Sequence, residues 1–236
     1  MSRLVIDRVT VRYGGVTPLD AVSLEFEDGV CGIIGPNGAG KTTTFNVLSG
    51  FAIPAEGSVH IDGESLLAVP RHRRARWGLR RSFQQEQVIR SLTVRENLLL
   101  AAENSGATRA SVDAALDYVG LDGRDRLGSD LTILERRLVE IARCVVGEPR
   151  LVLLDEPAAG LDPAESEMLL GVITGIPATT GALVLLVDHD MDLVRAACAT
   201  VAVLDFGRRI AAGSTAEVLT SPDVRKAYLG IEEEKA

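Results

Sequence analysis

The stretch Gly35-Pro36-Asn37-Gly38-Ala39-Gly40-Lys41-Thr42-Thr43 fits the phosphate-loop spacing G-x-x-x-x-G-K-[ST]. Its three glycines let the backbone curl with N–H groups facing inward around a phosphate. A helix beginning at the loop's end adds the positive end of its dipole. Lys41 then reaches the β- and γ-phosphates of a nucleotide, and the Thr42 hydroxyl is placed for Mg²⁺. A second group of reactive side chains lies far along the chain. Leu151-Val152-Leu153-Leu154-Asp155-Glu156 is an apolar strand ending in two carboxylates. Ligands bind at that end of parallel strands. Asp155 is suited to hold Mg²⁺, directly or through water, and Glu156 to polarise an attacking water as general base. Val187-Asp188-His189-Asp190 closes a further apolar strand, and His189 is either a surface residue or a group that reaches a γ-phosphate.

These residues need a scaffold, and the hydrophobic pattern outlines one. Leu4 to Ile6, Val9 to Arg12, Val22 to Phe26, Val30 to Ile34 and Ser58 to Ile61 read as strands. From about Leu92 to Val146 the periodicity turns helical. Thr93-Val94-Arg95-Glu96 predicts a capping box, and Ser111 to Val119 and Thr132 to Val146 predict further helices. Leu151 to Leu154 and Leu183 to Val187 are continuous apolar runs, as central parallel strands require. Helices are expected around Pro163 to Ile173 and Met191 to Ala199, with strands at Val201 to Leu204 and Arg209 to Ala211. The layout is a split α/β core with a helical insert. Glu232 to Ala236 reads as a solvated, frayed tail.

With 236 residues the chain suffices for one sizeable domain or two small lobes. No apolar run approaches the roughly 20 residues that span a bilayer, and Asp7 interrupts any leader-like segment. The expectation is a cytosolic protein whose membrane link runs through a partner. A net charge of −8 argues against general nucleic-acid binding. Cys31, Cys144 and Cys198 are scattered in apolar segments and read as buried thiols. Arg71 to Arg81 is the one dense basic run. It reads as a solvated helix face after Pro70, or as a patch for an acidic partner surface or lipid headgroups.

In order, Gly35 to Thr43, Gln84, Leu151 to Glu156, Gly160-Leu161-Asp162 and His189 resemble the motifs of ATP-binding cassette (ABC) transporter ATPase subunits. The resemblance covers roughly residues 3 to 230. Within the family the chain looks most like ATPase subunits of branched-chain amino acid importers. That likeness rests on Gly35 to Asn46, Arg81-Ser82-Phe83-Gln84, Leu92 to Asn97 and Asp188 to Val194. Lipid exporters share several of these words, and urea transporters and non-transport ATPases of the family are the alternatives.

The resemblance implies a RecA-like P-loop NTPase core with an N-terminal antiparallel β-subdomain, at 1–84 and 150–236, and an inserted helical subdomain at 85–149. It implies ATP and Mg²⁺ as cofactors. Gln84 senses Mg²⁺ and the attacking water, Asp162 touches the opposing subunit, and His189 is the switch histidine. Tyr13 matches the aromatic that stacks on adenine, unless it packs on the core as an ordinary strand residue. The implied partners are a second ATPase subunit in a homo- or heterodimer, transmembrane permease subunits and, indirectly, an extracytoplasmic substrate-binding protein. Nucleic acid is not among them. The implied location is cytoplasmic, peripheral at the inner face of the cell membrane.

One motif departs from the family pattern. Where these ATPases carry Leu-Ser-Gly-Gly-Gln, this chain has Leu131-Thr132-Ile133-Leu134-Glu135. In the family this loop caps the ATP held by the partner's phosphate loop. Thr132 keeps a hydroxyl for that ATP, but both glycines are gone. Glu135 would bring an anion near the triphosphate, where two charges ~6 Å apart at an effective dielectric of ~20 repel by roughly 2–3 kcal/mol. This suggests an asymmetric heterodimer, the alternative being a loop that tolerates the drift.

Overall fold

The computed structural model describes residues 2–27, 29–222 and 224. They form two compact units, one of the described residues up to 71 and from 186 onward, the other of residues 72–185. The acidic tail expected at Glu232 to Ala236 lies outside the described residues.

The first unit opens with β1 (Arg3–Tyr13) and β2 (Val16–Glu27), paired antiparallel. The two short strands expected at Leu4 and Val9 are one. Arg8 adopts a φ of 46° and the pairing slips there. The buried set accordingly passes from Leu4 and Ile6 to Val9 and Val11. The buried strand β3 (Val30–Ile34) leads to α1 (Lys41–Ser49). β4 (Glu56–Ile61) and β5 (Glu64–Ser65) complete a four-stranded sheet in the order β2-β1-β4-β5. Its cross-strand pairs Leu4–Phe26, Leu4–Ile61, Ile6–Leu24 and Ile6–Val59 are buried throughout, the packing that stabilises such sheets.

The second unit contains α2 (Arg74–Trp77), β6 (Leu79–Arg81), α3 (Val94–Ser105), α4 (Arg109–Tyr118), α5 (Ile133–Val145), β7 (Leu151–Asp155) and α6 (Pro163–Thr180). The capping box at Thr93 forms as expected, with both reciprocal bonds to Glu96. Helices α3, α4 and α5 pack on one another. Helix α6 outruns the sequence expectation and continues through Pro177. Leu169, Ile173 and Ile176 keep one face buried at helical spacing across that region, and this packing offsets the lost N–H.

The basic run is not a solvated helix face. Only Arg74–Trp77 is α-helical, and Leu79–Arg81 pairs parallel with β7. Arg74 and Arg80 are more than nine-tenths buried. Arg80 is tolerated because its guanidinium donates to the carbonyls of Ala75, Leu79 and Val146.

The chain leaves the second unit along β8 (Leu183–Val187), buried at every residue. Back in the first unit follow α7 (Met191–Ala197), β9 (Thr200–Asp205), β10 (Arg208–Ser214) and α8 (Thr215–Thr220). β9 lies parallel to β3 and antiparallel to β10. Among the described residues no helix is long and apolar enough to cross a membrane. All three cysteines are buried and stand outside any disulfide. Burial pushes the Cys144 and Cys198 thiols up to about 12.

Candidate functional site

In the first unit the loop between β3 and α1 is built by contacts that only glycine permits. A methyl group on Gly35 would sit 2.1 Å from the Leu204 carbonyl oxygen, and one on Gly40 2.6 Å from that of Pro18. Gly40 has a φ of 107° and caps α1 without a side chain, and no acidic residue stands in the first turn. The helix start is thus suited to an anion. Lys41 Nζ donates to the Gly35 and Pro36 carbonyls at 2.5 and 3.0 Å, holding the ammonium within the loop. Asn37 and Gly38 are exposed, Ala39 is buried, and Thr42 at the first turn is exposed. The hairpin between β9 and β10 supports the loop from the side. Gly207 N–H donates to Ala39 O at 3.1 Å, and Asp20 N–H to Gly207 O at 2.8 Å.

The same unit holds Tyr13 and His189. Tyr13 is 54% exposed at the end of β1, so it is not a core aromatic. Asp188 is buried, and its Oδ1 accepts the N–H groups of His189 and Asp190 at 2.8 and 3.0 Å. This bonding fixes the turn that presents the exposed His189 side chain. Asp190 in turn caps α7 by accepting from Asp192 and Leu193 N–H.

In the second unit, one short segment grips both acids at the end of β7. Arg81 Nη2 lies 3.1 Å from Asp155 Oδ2, with both side chains over nine-tenths buried. Ser82 Oγ accepts the Asp155 N–H at 3.1 Å. Gln84 Nε2 donates to Glu156 Oε2 at 2.9 Å. Breaking a buried ion pair from one side costs about 3–5 kcal/mol, so this arrangement is held firmly. Glu156 itself has a φ of 48°, a conformation that costs a non-glycine residue of order 1–3 kcal/mol. Such strain is common where a reactive side chain must be aimed. Sequence reasoning placed Arg81 in a basic run and in the family-like word ending at Gln84, and gave it no role of its own. Its signal was a charge on the strand beside β7, three residues before Gln84.

The degenerate signature is also in this unit and behaves differently from the expectation. Thr132 caps α5, and Glu135 closes a capping box by accepting the Thr132 N–H at 2.7 Å. Arg126 pairs with the Glu135 carboxylate, one contact being 3.1 Å. That hydrogen bond holds the Glu135 carboxyl below the usual carboxylate range. The negative charge is neutralised within the chain, so the repulsion of roughly 2–3 kcal/mol expected from an unpaired anion does not apply in full. Asp162 caps α6 in a third such box with Glu165. A buried network crosses α5: Glu140 accepts from Gln87 N–H at 2.8 Å and from Arg137 at 3.0 Å, and Arg137 donates to Ala159 O at 3.2 Å. Burial pushes the Glu140 carboxyl up.

Magnesium characteristically takes one or two protein oxygens and completes its shell with phosphate and water. Each unit, taken by itself, carries one donor of that kind. Thr42 offers a hydroxyl, and Asp155 has Oδ2 tied to Arg81. Among the described residues no group of three or more His, Cys, Asp or Glu side chains gathers as a protein-only cage.

Comparison with known proteins agrees with this reading. The model of the family described as "ABC transporter" matches residues 19–159, and that of "Branched-chain amino acid ATP-binding cassette transporter" matches residues 208–234. The chain is 37% identical to the high-affinity branched-chain amino acid transport ATP-binding protein BraF of Pseudomonas aeruginosa, covering 98% of this chain and 99% of that one. It is 34% identical to the lipopolysaccharide export system ATP-binding protein LptB of Haemophilus influenzae, covering 98% of each. Among solved structures, an ABC transporter's ATP-binding cassette in its ADP conformation superposes with a TM-score of 0.89 at 27% identity, over 98% of this chain and 100% of that one. A nucleotide-free cassette gives 0.88 at 27% identity, over 99% and 100%. The fold is therefore the RecA-like P-loop type with a small antiparallel β-subdomain. This chain belongs to the ATP-binding subunits of ABC transporters, and it is an ATP hydrolase that uses ATP with Mg²⁺.

Proposed function

We propose that the chain drives a branched-chain amino acid importer, working at the inner face of the membrane through permease subunits and paired with a second ATPase subunit. The observation that carries this reading is the full-length similarity to a branched-chain amino acid transport subunit, joined by the separate match at residues 208–234. In this reading Lys41 and the amides of residues 35–42 bind the phosphates, and Thr42 and Asp155 hold Mg²⁺, with Gln84 sensing it. The metal supplies charge neutralisation on the phosphates. Glu156 accepts the proton of the attacking water, Gln84 orients that carboxylate, and His189 senses the γ-phosphate. Closure on ATP and opening after hydrolysis shift the permease between states, as far as ATP favours the closed dimer.

Tyr13 stacks on the adenine. Tyr13→Ala is expected to weaken ATP binding by about ten-fold, since base–aromatic stacking contributes ~1–3 kcal/mol. Fluorescence titration of the purified chain with a labelled ATP analogue checks this, and unaltered affinity would remove Tyr13 from the site.

The importer reading is tested by deleting the gene and measuring uptake of radiolabelled leucine, isoleucine and valine. Loss of uptake, restored by the intact chain but not by Lys41→Ala, is the expected result. The 34% identity to a lipopolysaccharide export subunit favours lipid export as the second reading. Normal uptake combined with a defect in the outer cell surface would select it.

A further inference from the structure

One short segment makes two bonds to Asp155 and a third to the strand just before it. Arg81 donates to Oδ2, Ser82 Oγ takes the backbone N–H, and Ser82 N–H returns to Leu153 O at 2.9 Å. Arg81 is fixed in turn, because its guanidinium lies 4.8 Å from the centroid of the Phe83 ring. A carboxylate has two oxygens, and a planar guanidinium that takes one of them decides where the other points. Arg81 follows directly from the strand pairing of β6 with β7, in which Arg81 lies beside Leu153. The sheet places its backbone, and the Asp155 and Phe83 contacts hold its side chain.

We infer that Arg81 is a positioning residue for the metal: by holding Asp155 Oδ2, it presents Oδ1 to Mg²⁺ in one fixed direction. The inference rests on the reading of Asp155 as a metal ligand. Its role runs through the carboxylate it holds. Partners of this kind, which orient a ligand without binding the metal, typically alter metal affinity by 10–100-fold when removed.

The test is Mn²⁺ binding followed by electron paramagnetic resonance. The full-length chain is first saturated with a slowly hydrolysed ATP analogue. Arg81→Met is expected to weaken Mn²⁺ binding about ten-fold, with nucleotide affinity in EDTA unchanged. Arg81→Lys keeps the charge but loses the planar fork and is expected to fall between. Asp155→Asn weakens Mn²⁺ binding by itself, and Arg81→Met added to it brings no further loss. The double variant removes both charges, so no orphaned ion is left to unfold it. If Arg81→Met fails to fold, Arg81→Lys and the double variant carry the comparison. Wild-type Mn²⁺ affinity in a folded Arg81 variant overturns the inference, as does an equal loss in the Asp155→Asn background. Wild-type affinity in Asp155→Asn overturns the metal-ligand reading itself, and the inference falls with it.

Discussion

Glu156→Gln is expected to stop turnover while leaving ATP bound. The glutamate is half-buried at the end of β7 and receives a hydrogen bond from Gln84 at 2.9 Å. Glutamine has the same shape and keeps a carbonyl oxygen for that bond, so the local structure should survive. It cannot accept the proton of water. General-base catalysis contributes about 10²–10⁴-fold, and the loss in kcat should lie in that range. Steady-state phosphate release together with equilibrium ATP binding reads both quantities. A Glu156→Gln protein that hydrolyses ATP at the wild-type rate would remove Glu156 as the base.

The second large effect concerns the signature loop. Glycine N–H groups at this position cap the partner's ATP in the family pattern. Here the start of α5 is closed on itself: Glu135 N–H donates to Thr132 Oγ1 at 3.2 Å, and Thr132 N–H donates to Glu135 at 2.7 Å. Ile133 and Leu134 add side chains where backbone would have to approach phosphate. With Glu135 neutralised by Arg126, the impairment we propose for this loop comes from missing donors and bulk more than from charge. The combined variant Ile133→Gly, Leu134→Gly, Glu135→Gln is therefore expected to raise ATPase activity of the chain alone by about 10²-fold, the scale of one preorganised donor at a developing charge. Glu135→Gln by itself should do much less. The two glycines cost about 1 kcal/mol each in the first turn of α5, so the melting temperature must be followed alongside. We propose that in the cell a partner subunit with an intact loop completes the site at Lys41, leaving the mirrored site slow. High, cooperative ATPase activity of the unmodified chain alone would refute that asymmetry.

Much of this is legible in the sequence. The phosphate loop, the strand ending at Asp155 and the capping box at Thr93 are local patterns, and local patterns survive folding. What could not be read depended on distant partners. Arg126 and Glu135 are nine positions apart with a turn between them, a spacing that no helical rule connects. Arg81 looked like part of a surface charge run because its carboxylate lies 74 residues on. The single strand β1 was hidden by Asp7 and Arg8, whose polar side chains mimic a turn when only a bulge is present. Pro177 suggested a helix end that tertiary packing overrode.

The Phe206–Gly207 hairpin tip has a bearing on how the protein is made. Gly35 abuts the Leu204 carbonyl, and Ala39 O receives the Gly207 N–H. Residues that emerge early from the ribosome thus wait for segments synthesised about 170 positions later. A nascent or prematurely terminated chain that ends before Thr200 lacks the supports that shape its own phosphate loop. Fragments of this subunit that end before Thr200 should consequently consume no ATP.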